Sequence, residues 1–279
     1  MKETMMKRRD FLLQSIEASL LAYLPGGLIM TAKSGAGTEQ ESGQSAALNP
    51  VSKYVESYVP PKGGLDPARR QTITFDVIGW RTDKGRQDVS TPVLGEITVS
   101  RNPLRDAIVY EVTQHLGKQE TMAGRFRCRM DRWHSLVDWE FEYSLSADLV
   151  SIARLARTQQ SGKREGENVV IRTNGAESIF ACPAPLLCQW GMLDTAWRMR
   201  EFCEAGSEFT LLHEPSGLRP RQRFREDRRV ALPQGDSAPI QTFLQTGDGT
   251  VPTHWIVDSR GRPLFVTAFL MSWAMKAIS

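Results

Sequence analysis

The chain has 279 residues, 41% of them hydrophobic and 24% charged, with a formal net charge of +3. These proportions fit one or two folded domains and exclude a collagen-like or wholly disordered chain. The near balance of charge argues against a broad nucleic-acid footprint, so no nucleic-acid partner is expected.

Lys7-Arg8-Arg9-Asp10-Phe11-Leu12-Leu13 opens a mildly apolar stretch that runs to about Ala32. A basic run followed by an apolar segment is the layout of an export signal. Arg8 and Arg9, followed by Asp10, Phe11 and Leu12, resemble the twin-arginine signal family, in which paired arginines and a variable residue precede Phe-Leu. The resemblance covers roughly the first 35 residues. It departs at Lys7, where the family often has Ser or Thr, and at Glu17, inside the apolar segment. It implies that the twin-arginine export machinery carries the protein, already folded, across a bacterial membrane to the periplasm or beyond.

Residues 1–36 are read as this signal, with cleavage after Ala32 or Ala36, which leaves the mature protein at most peripheral to the membrane. The competing reading is an uncleaved inner-membrane anchor. A spanning helix wants roughly 20 mostly apolar residues, and Glu17 and Pro25-Gly26-Gly27 interrupt this stretch.

Residues 37–69 read as a flexible low-complexity tether. Ala, Gly, Ser, Gln and Glu dominate, followed by Pro60-Pro61-Lys62-Gly63-Gly64, too little apolar surface to offset chain entropy. Tyr54, Val55, Tyr58 and Val59 are its candidates for contact with the domain.

Residues 70–279 carry a period-two pattern. Ile73, Phe75 and Val77 alternate with polar residues, as do Phe126, Cys128 and Met130, then Trp139, Phe141, Tyr143 and Leu145. Each segment has one apolar and one charged face, as in an antiparallel sheet with one wet side. Arg127 is expected opposite Glu140, Arg125 opposite Glu142, Phe126 against Phe141 and Cys128 against Trp139, with the turn near Trp133-His134. Further strands are expected near 94–100, 107–115, 168–173, 208–213, 222–230, 239–245, 254–258 and 263–269. Residues 149–160 fit strand or helix and are read as strand, one arm of a hairpin whose turn signals are Ser161-Gly162-Lys163 and Glu165-Gly166, and Asp258-Ser259-Arg260-Gly261 reads as the turn of the final hairpin.

Between Pro185 and Ala205, Leu186, Trp190, Leu193 and Trp197 fall at helical spacing, and Gly206 follows as a stop. The predicted fold is mainly β (α+β): one curved antiparallel sheet or half-barrel packed on one main helix at about 185–205. That order of sheet and helix resembles the periplasmic lipoprotein-carrier-like half-barrels. The resemblance implies a concave apolar surface for a lipid-like ligand, and on that surface Trp139, Phe141, Trp190 and Trp197 are the candidate ligand-facing aromatics.

Phosphate-loop, H-E-x-x-H, C-x-x-C and G-x-S-x-G motifs are absent, so neither cofactor nor metal is expected. Thr246-Gly247-Asp248-Gly249 reads as a turn. Cys182 and Cys188 bracket the helix entry and are a candidate disulfide, against the alternative that all four cysteines are buried hydrophobes. Zinc is disfavoured because no two cysteines have ligand-pair spacing. His254 with Asp258 is the candidate catalytic pair, competing with a hydrogen-bonded strand end. Arg219, Arg221, Arg223 and Arg225 recur every second residue, forming either an anion-binding stripe or a solvated face paired with carboxylates. Three functions remain open: a non-enzymatic envelope protein binding a hydrophobic or anionic ligand such as lipid, a periplasmic hydrolase at His254 and Asp258, and an envelope assembly or adaptor module using an open strand edge.

Overall fold

The computed structural model describes residues 52–66, 68–79, 93–117, 120–145, 157–214, 217–230, 240–268 and 271–279. The candidate signal residues Arg8, Arg9, Phe11 and Leu12, and the tether before residue 52, lie outside them.

After helix α1 (Ser52–Ser57) come β1 (Gln71–Gly79), β2 (Val93–Pro103), β3 (Ala107–Leu116), β4 (Glu120–Arg129), β5 (Leu136–Leu145), β6 (Arg157–Glu165), β7 (Asn168–Thr173) and β8 (Ala176–Ala181). Then follow β9 (Leu186–Cys188), helices α2 (Gln189–Asp194) and α3 (Met199–Glu204), β10 (Phe209–His213) and β11 (Gly217–Val230). The chain ends with β12 (Ile240–Thr246), β13 (Thr253–Val257), β14 (Pro263–Ala268) and β15 (Met271–Ile278). All strands belong to one 15-stranded sheet, in the order β8-β7-β6-β5-β4-β3-β2-β1-β15-β14-β13-β12-β11-β10-β9. Among the described residues no helix is long and apolar enough to cross a membrane.

This order is two meanders joined at the β1–β15 pair, where Phe75 lies opposite Met275. Its ends, β8 and β9, are consecutive in sequence and linked by residues 182–185 alone. At ~3.5 Å per residue so short a link forces the two ends of a long sheet close together, so the sheet must curl. It does, and β9 packs against β5. The ends are not hydrogen-bonded to each other, so the curl is barrel-like without being a closed barrel.

Alternation then sets the two faces. Inside the curl, Phe75, Ile97, Tyr110, Phe126, Phe141, Trp190, Phe209, Phe243 and Trp255 share one core. Trp190 stacks on Trp273 at 5.5 Å, and Trp133 on Phe202 at 3.9 Å. A smaller cluster on Ile78, Ile256, Phe265 and Ala274 is covered by Val55 and Tyr58. Part of the stretch read from composition as tether is therefore anchored, through Tyr54, Val55, Tyr58 and Leu65, whereas Val59 stands exposed. The Tyr58 hydroxyl donates to the Met275 carbonyl at 2.8 Å, and buried Arg262 donates to the carbonyls of Pro61 and Gly63.

Three expectations need correcting. The β4–β5 hairpin exists, but Arg125 lies opposite Glu140, Arg127 opposite Asp138, Phe126 opposite Trp139 and Cys128 opposite Leu136. A shift of two residues leaves every side chain on its face, so alternation cannot detect it; a bulge after Arg127 and the Asp131 turn set the register instead. Residues 149–156 lie outside the described residues; Ser161-Gly162-Lys163 lies inside β6, and the hairpin turns instead at the second signal, with Gly166 at φ 63° just after Glu165. A Cβ at Gly162 would meet the Trp139 ring at 2.2 Å, so this glycine makes room for an indole rather than a turn.

The single helix over 185–205 is replaced by β9, α2, a 3-10 turn at Ala196–Arg198, and α3. Leu186-Leu187-Cys188 is a short apolar run that suits a buried strand as well as a helix. Trp197 consequently leaves the apolar stripe and stands 47% exposed, with the Arg198 guanidinium 4.3 Å over its ring.

Candidate functional site

The β7–β8 hairpin turns at Asn174-Gly175, both with positive φ (50° and 86°). That is the two-residue turn whose twist matches paired strands. Thr173 and Ala176 flank it, and the register runs Ile171 opposite Ser178 and Val169 opposite Phe180. In an antiparallel pair, alternate residues bond inward. The Cys182 N–H donates to the Glu167 carbonyl at 2.6 Å, which fixes the parity. Ala176, Ser178 and Phe180 therefore bond to β7, while the N–H and C=O groups of Glu177, Ile179 and Ala181 point away from the sheet.

No strand pairs with that outer edge among the described residues. All six residues of β8 are exposed, with Ile179 at 65% and Phe180 at 44%. Its one charge, Glu177, is held by Arg172 at 2.7 Å. Edge strands are ordinarily protected by Lys, Pro, bulges or covering loops, and β8 carries no Lys or Pro. Arg164 keeps its far end rigid, donating at 3.0 Å to each of the carbonyls of Gly166, Ala184 and Cys182. The result is a firmly held, apolar, half-made β-ladder. The Asn174-Gly175 dipeptide was the sequence signal for it.

A second, polar constellation is built on β2 and β3, near the middle of the strand order. Fully buried Arg101 on β2 holds the buried Asp194 carboxylate at the end of α2 and donates to Gln71 Oε1 at 2.6 Å and to the Asp66 and Arg69 carbonyls. The Tyr110 hydroxyl donates to Asp194 at 3.0 Å and lies 2.7 Å from His134 Nδ1. That nitrogen must then carry the proton it shares with the tyrosine oxygen. Burial, seconded by Asp194, holds the Tyr110 hydroxyl far above its ordinary range, and burial pushes the His134 imidazole down. A phenol so held stays protonated and is no nucleophile, so the group acts as a polar rivet joining β2, β3, the β4–β5 turn and α2. Nothing in the spacing of Arg101 and Asp194 announces it.

The His254 and Asp258 candidates are not brought together. His254 Nε2 lies 3.8 Å from Asp227, beyond hydrogen-bond reach. Asp258 is occupied by Arg262 at 2.6 and 2.7 Å and by the turn N–H groups of Arg260 and Arg262. The turn at Asp258–Gly261 forms, but β15 follows it, so the final hairpin is β14–β15. In the arginine row, Arg221 pairs with Asp248 and Arg223 with Glu208 at 2.9 Å. Arg221 has φ +52° at a bulge, which takes Arg219 out of step with Arg223 and Arg225. Cys182 and Cys188 are not partners: Cys182 Sγ lies 3.5 Å from the Ala184 carbonyl, whereas Cys188 faces Cys128.

Trp139, Phe141 and Trp190 are core side chains, each under a twentieth exposed. Two open hollows of about 430 and 410 Å3 flank Arg129 and Asp131. The first is lined by Asp106, Arg127 and Met130, the second by Trp133, Arg164 and Pro183. Among the described residues no cluster of three or more His, Cys, Asp or Glu is placed to hold a metal ion.

No protein-family model matches the chain, and no curated protein matches it. Among solved structures it is similar to a β-barrel-like protein of the domain of unknown function DUF1849 from Brucella abortus. Identity is 11% and the TM-score 0.45, over 75% of this chain and 97% of that one. A likeness so distant adds nothing to the architecture already read from the strands.

Proposed function

We propose that this is an exported, non-enzymatic envelope protein that acts as an assembly or adaptor module, taking an extended strand of a partner protein onto the β8 edge. The observation that carries the reading is the outward ladder at Glu177, Ile179 and Ala181, with Ile179 and Phe180 exposed beside it. An added strand would satisfy those backbone groups and cover both side chains, the mode of recognition in which main-chain bonds give affinity and side-chain alternation gives specificity. The arginine pair Arg8-Arg9 with Phe11-Leu12 supports export by the twin-arginine route to the periplasm. A lipid-carrier role has less support, because Trp139, Phe141 and Trp190 fill the interior that a half-barrel carrier would keep open. A hydrolase role has less again, since His254 and Asp258 lie apart.

One experiment tests edge and export together. A photo-reactive phenylalanine replaces Glu177 in the full chain, expressed in its own cells, and envelope and cytosolic fractions are compared after illumination. The expected outcome is a discrete heteromeric adduct in the envelope. Ile179→Pro should abolish it, because proline removes the outward donor and leaves the bonds to β7 in place. Arg8→Lys with Arg9→Lys should abolish it too, by retaining the protein in the cytosol. An adduct indifferent to Ile179→Pro, or an adduct between two copies of this chain, would overturn the partner-strand reading. Unimpaired export of the lysine pair would overturn the route.

A further inference from the structure

We propose that Cys128 and Cys188 form a disulfide that latches the curled sheet shut. Cys128 lies on β4 and Cys188 ends β9, and their Sγ atoms are 4.0 Å apart, both fully buried. The two sulfurs are already in van der Waals contact, and the bond requires them to close from there to about 2.05 Å. The contact lies where the fold needs a fastening. The run β4-β3-β2-β1-β15-β14-β13-β12-β11-β10-β9 is continuous in hydrogen bonds, but β9 has no ladder to β4 or β5. β9 is held only through three parallel pairs with β10 and by its packing. A Cys128–Cys188 bond would join the two ends of that run covalently.

The chemistry is thiol–disulfide exchange with a low-molecular-weight or protein disulfide as oxidant. Cys188, on the short end strand, is the thiol exposed when β9 lifts. Its thiolate attacks one sulfur of the oxidant, forming a mixed disulfide and releasing one thiolate. The Cys128 thiolate then attacks the Cys188 sulfur, closing the bond and releasing the second. The two protons given up by the cysteines go to the two released thiolates, and the oxidant gains the two electrons. Inside the closed fold, burial and the neighbouring Cys188 push the Cys128 thiol far up its range. Oxidation therefore waits on the lifting of β9 or on folding itself, and once made the bond is shielded from reductant.

The test uses the full chain refolded in oxidised and reduced glutathione, denatured, alkylated and mapped by mass spectrometry. The expected result is one peptide pair joining Cys128 to Cys188 and lighter by two hydrogens, with Cys182 and Cys203 alkylated. Its reduction should lower Tm by about 10 °C, the size expected for a loop of this length in a domain of this size. Four alkylated cysteines, or a link from Cys188 to Cys182, would overturn the proposal. The wild-type map needs no variant to fold. Cys128→Ala and Cys188→Ala provide an independent readout, since in either one Tm should no longer respond to reductant; a response that persists would also overturn it.

Discussion

β8 and β9 both end the same sheet and are separated by a short link, yet their surroundings are opposite. Every residue of β9 is buried: Leu186, Leu187 and Cys188 belong to the main core, with β9 packed against β5 and α2. Every residue of β8 is exposed. A free strand edge is a liability that a fold can remove by burial, and among the described residues this is done at the β9 end and not at β8. The lesson is that exposure at β8 is not a failure of a sheet too long to protect itself. The same sheet shows, a few residues later, how thoroughly it can bury an end.

The comparison can be broken first at the buried end. Arg101→Leu removes the cation that holds Asp194 at the end of α2 and leaves that buried carboxylate without its counter-ion, with only the Tyr110 hydroxyl among the described residues donating to it. Breaking a buried pair this way costs about 3–5 kcal/mol, read as a lower urea midpoint. A loss under about 1 kcal/mol would show that β9 and α2 do not depend on this rivet.

A smaller effect sharpens how dry the buried end is. Glu214, just after β10, has its Oε1 shut from solvent. Burial raises its carboxyl from the ordinary 4.5 to about 8, with a hydrogen bond from its own backbone pulling the other way. Between those two values the folded chain keeps a proton that the unfolded chain releases. Stability is therefore whole at low pH and falls as pH rises through the window. Glu214→Gln should raise unfolding free energy by about 1–2 kcal/mol near neutral pH and by almost nothing near pH 4. Thermal melts across that range check the sign; a variant advantage that grows on acidification would refute it.

The least effect is expected at the open end. Ile179→Ala should change stability by no more than about 0.5 kcal/mol, because the side chain is already mostly in water. A larger loss in chemical denaturation would mean that β8 is covered in solution by the protein's own chain, and the contrast between the two ends would disappear.

Much of the sheet could be read from alternation. Ile73 to Val77, Phe126 with Cys128, and Trp139 with Phe141 lie on the faces expected of them, because a strand's two-residue period maps directly onto inside and outside. Register was less legible, since pairing Arg127 with Asp138 or with Glu140 buries the same residues and makes the same kind of ion pair. The open edge was half legible: Asn174-Gly175 is a hairpin signal in six letters of context, but nothing in Ser178-Ile179-Phe180 says that no strand lies beyond it. His254 and Asp258 misled because nearness in sequence along a strand is not nearness of side chains.

By itself, then, the order of amino acids determined that this chain carries a mainly β domain with sided strands. Only the tertiary structure decided that the sheet curls until β9 is swallowed and β8 is left bare, that Arg101 meets Asp194, and that Cys128 meets Cys188. Local patterns report which way a side chain points, a property of the residue and its immediate neighbours. Which strand ends the sheet, and which distant side chains meet across its interior, depends on how all the strands close around one core.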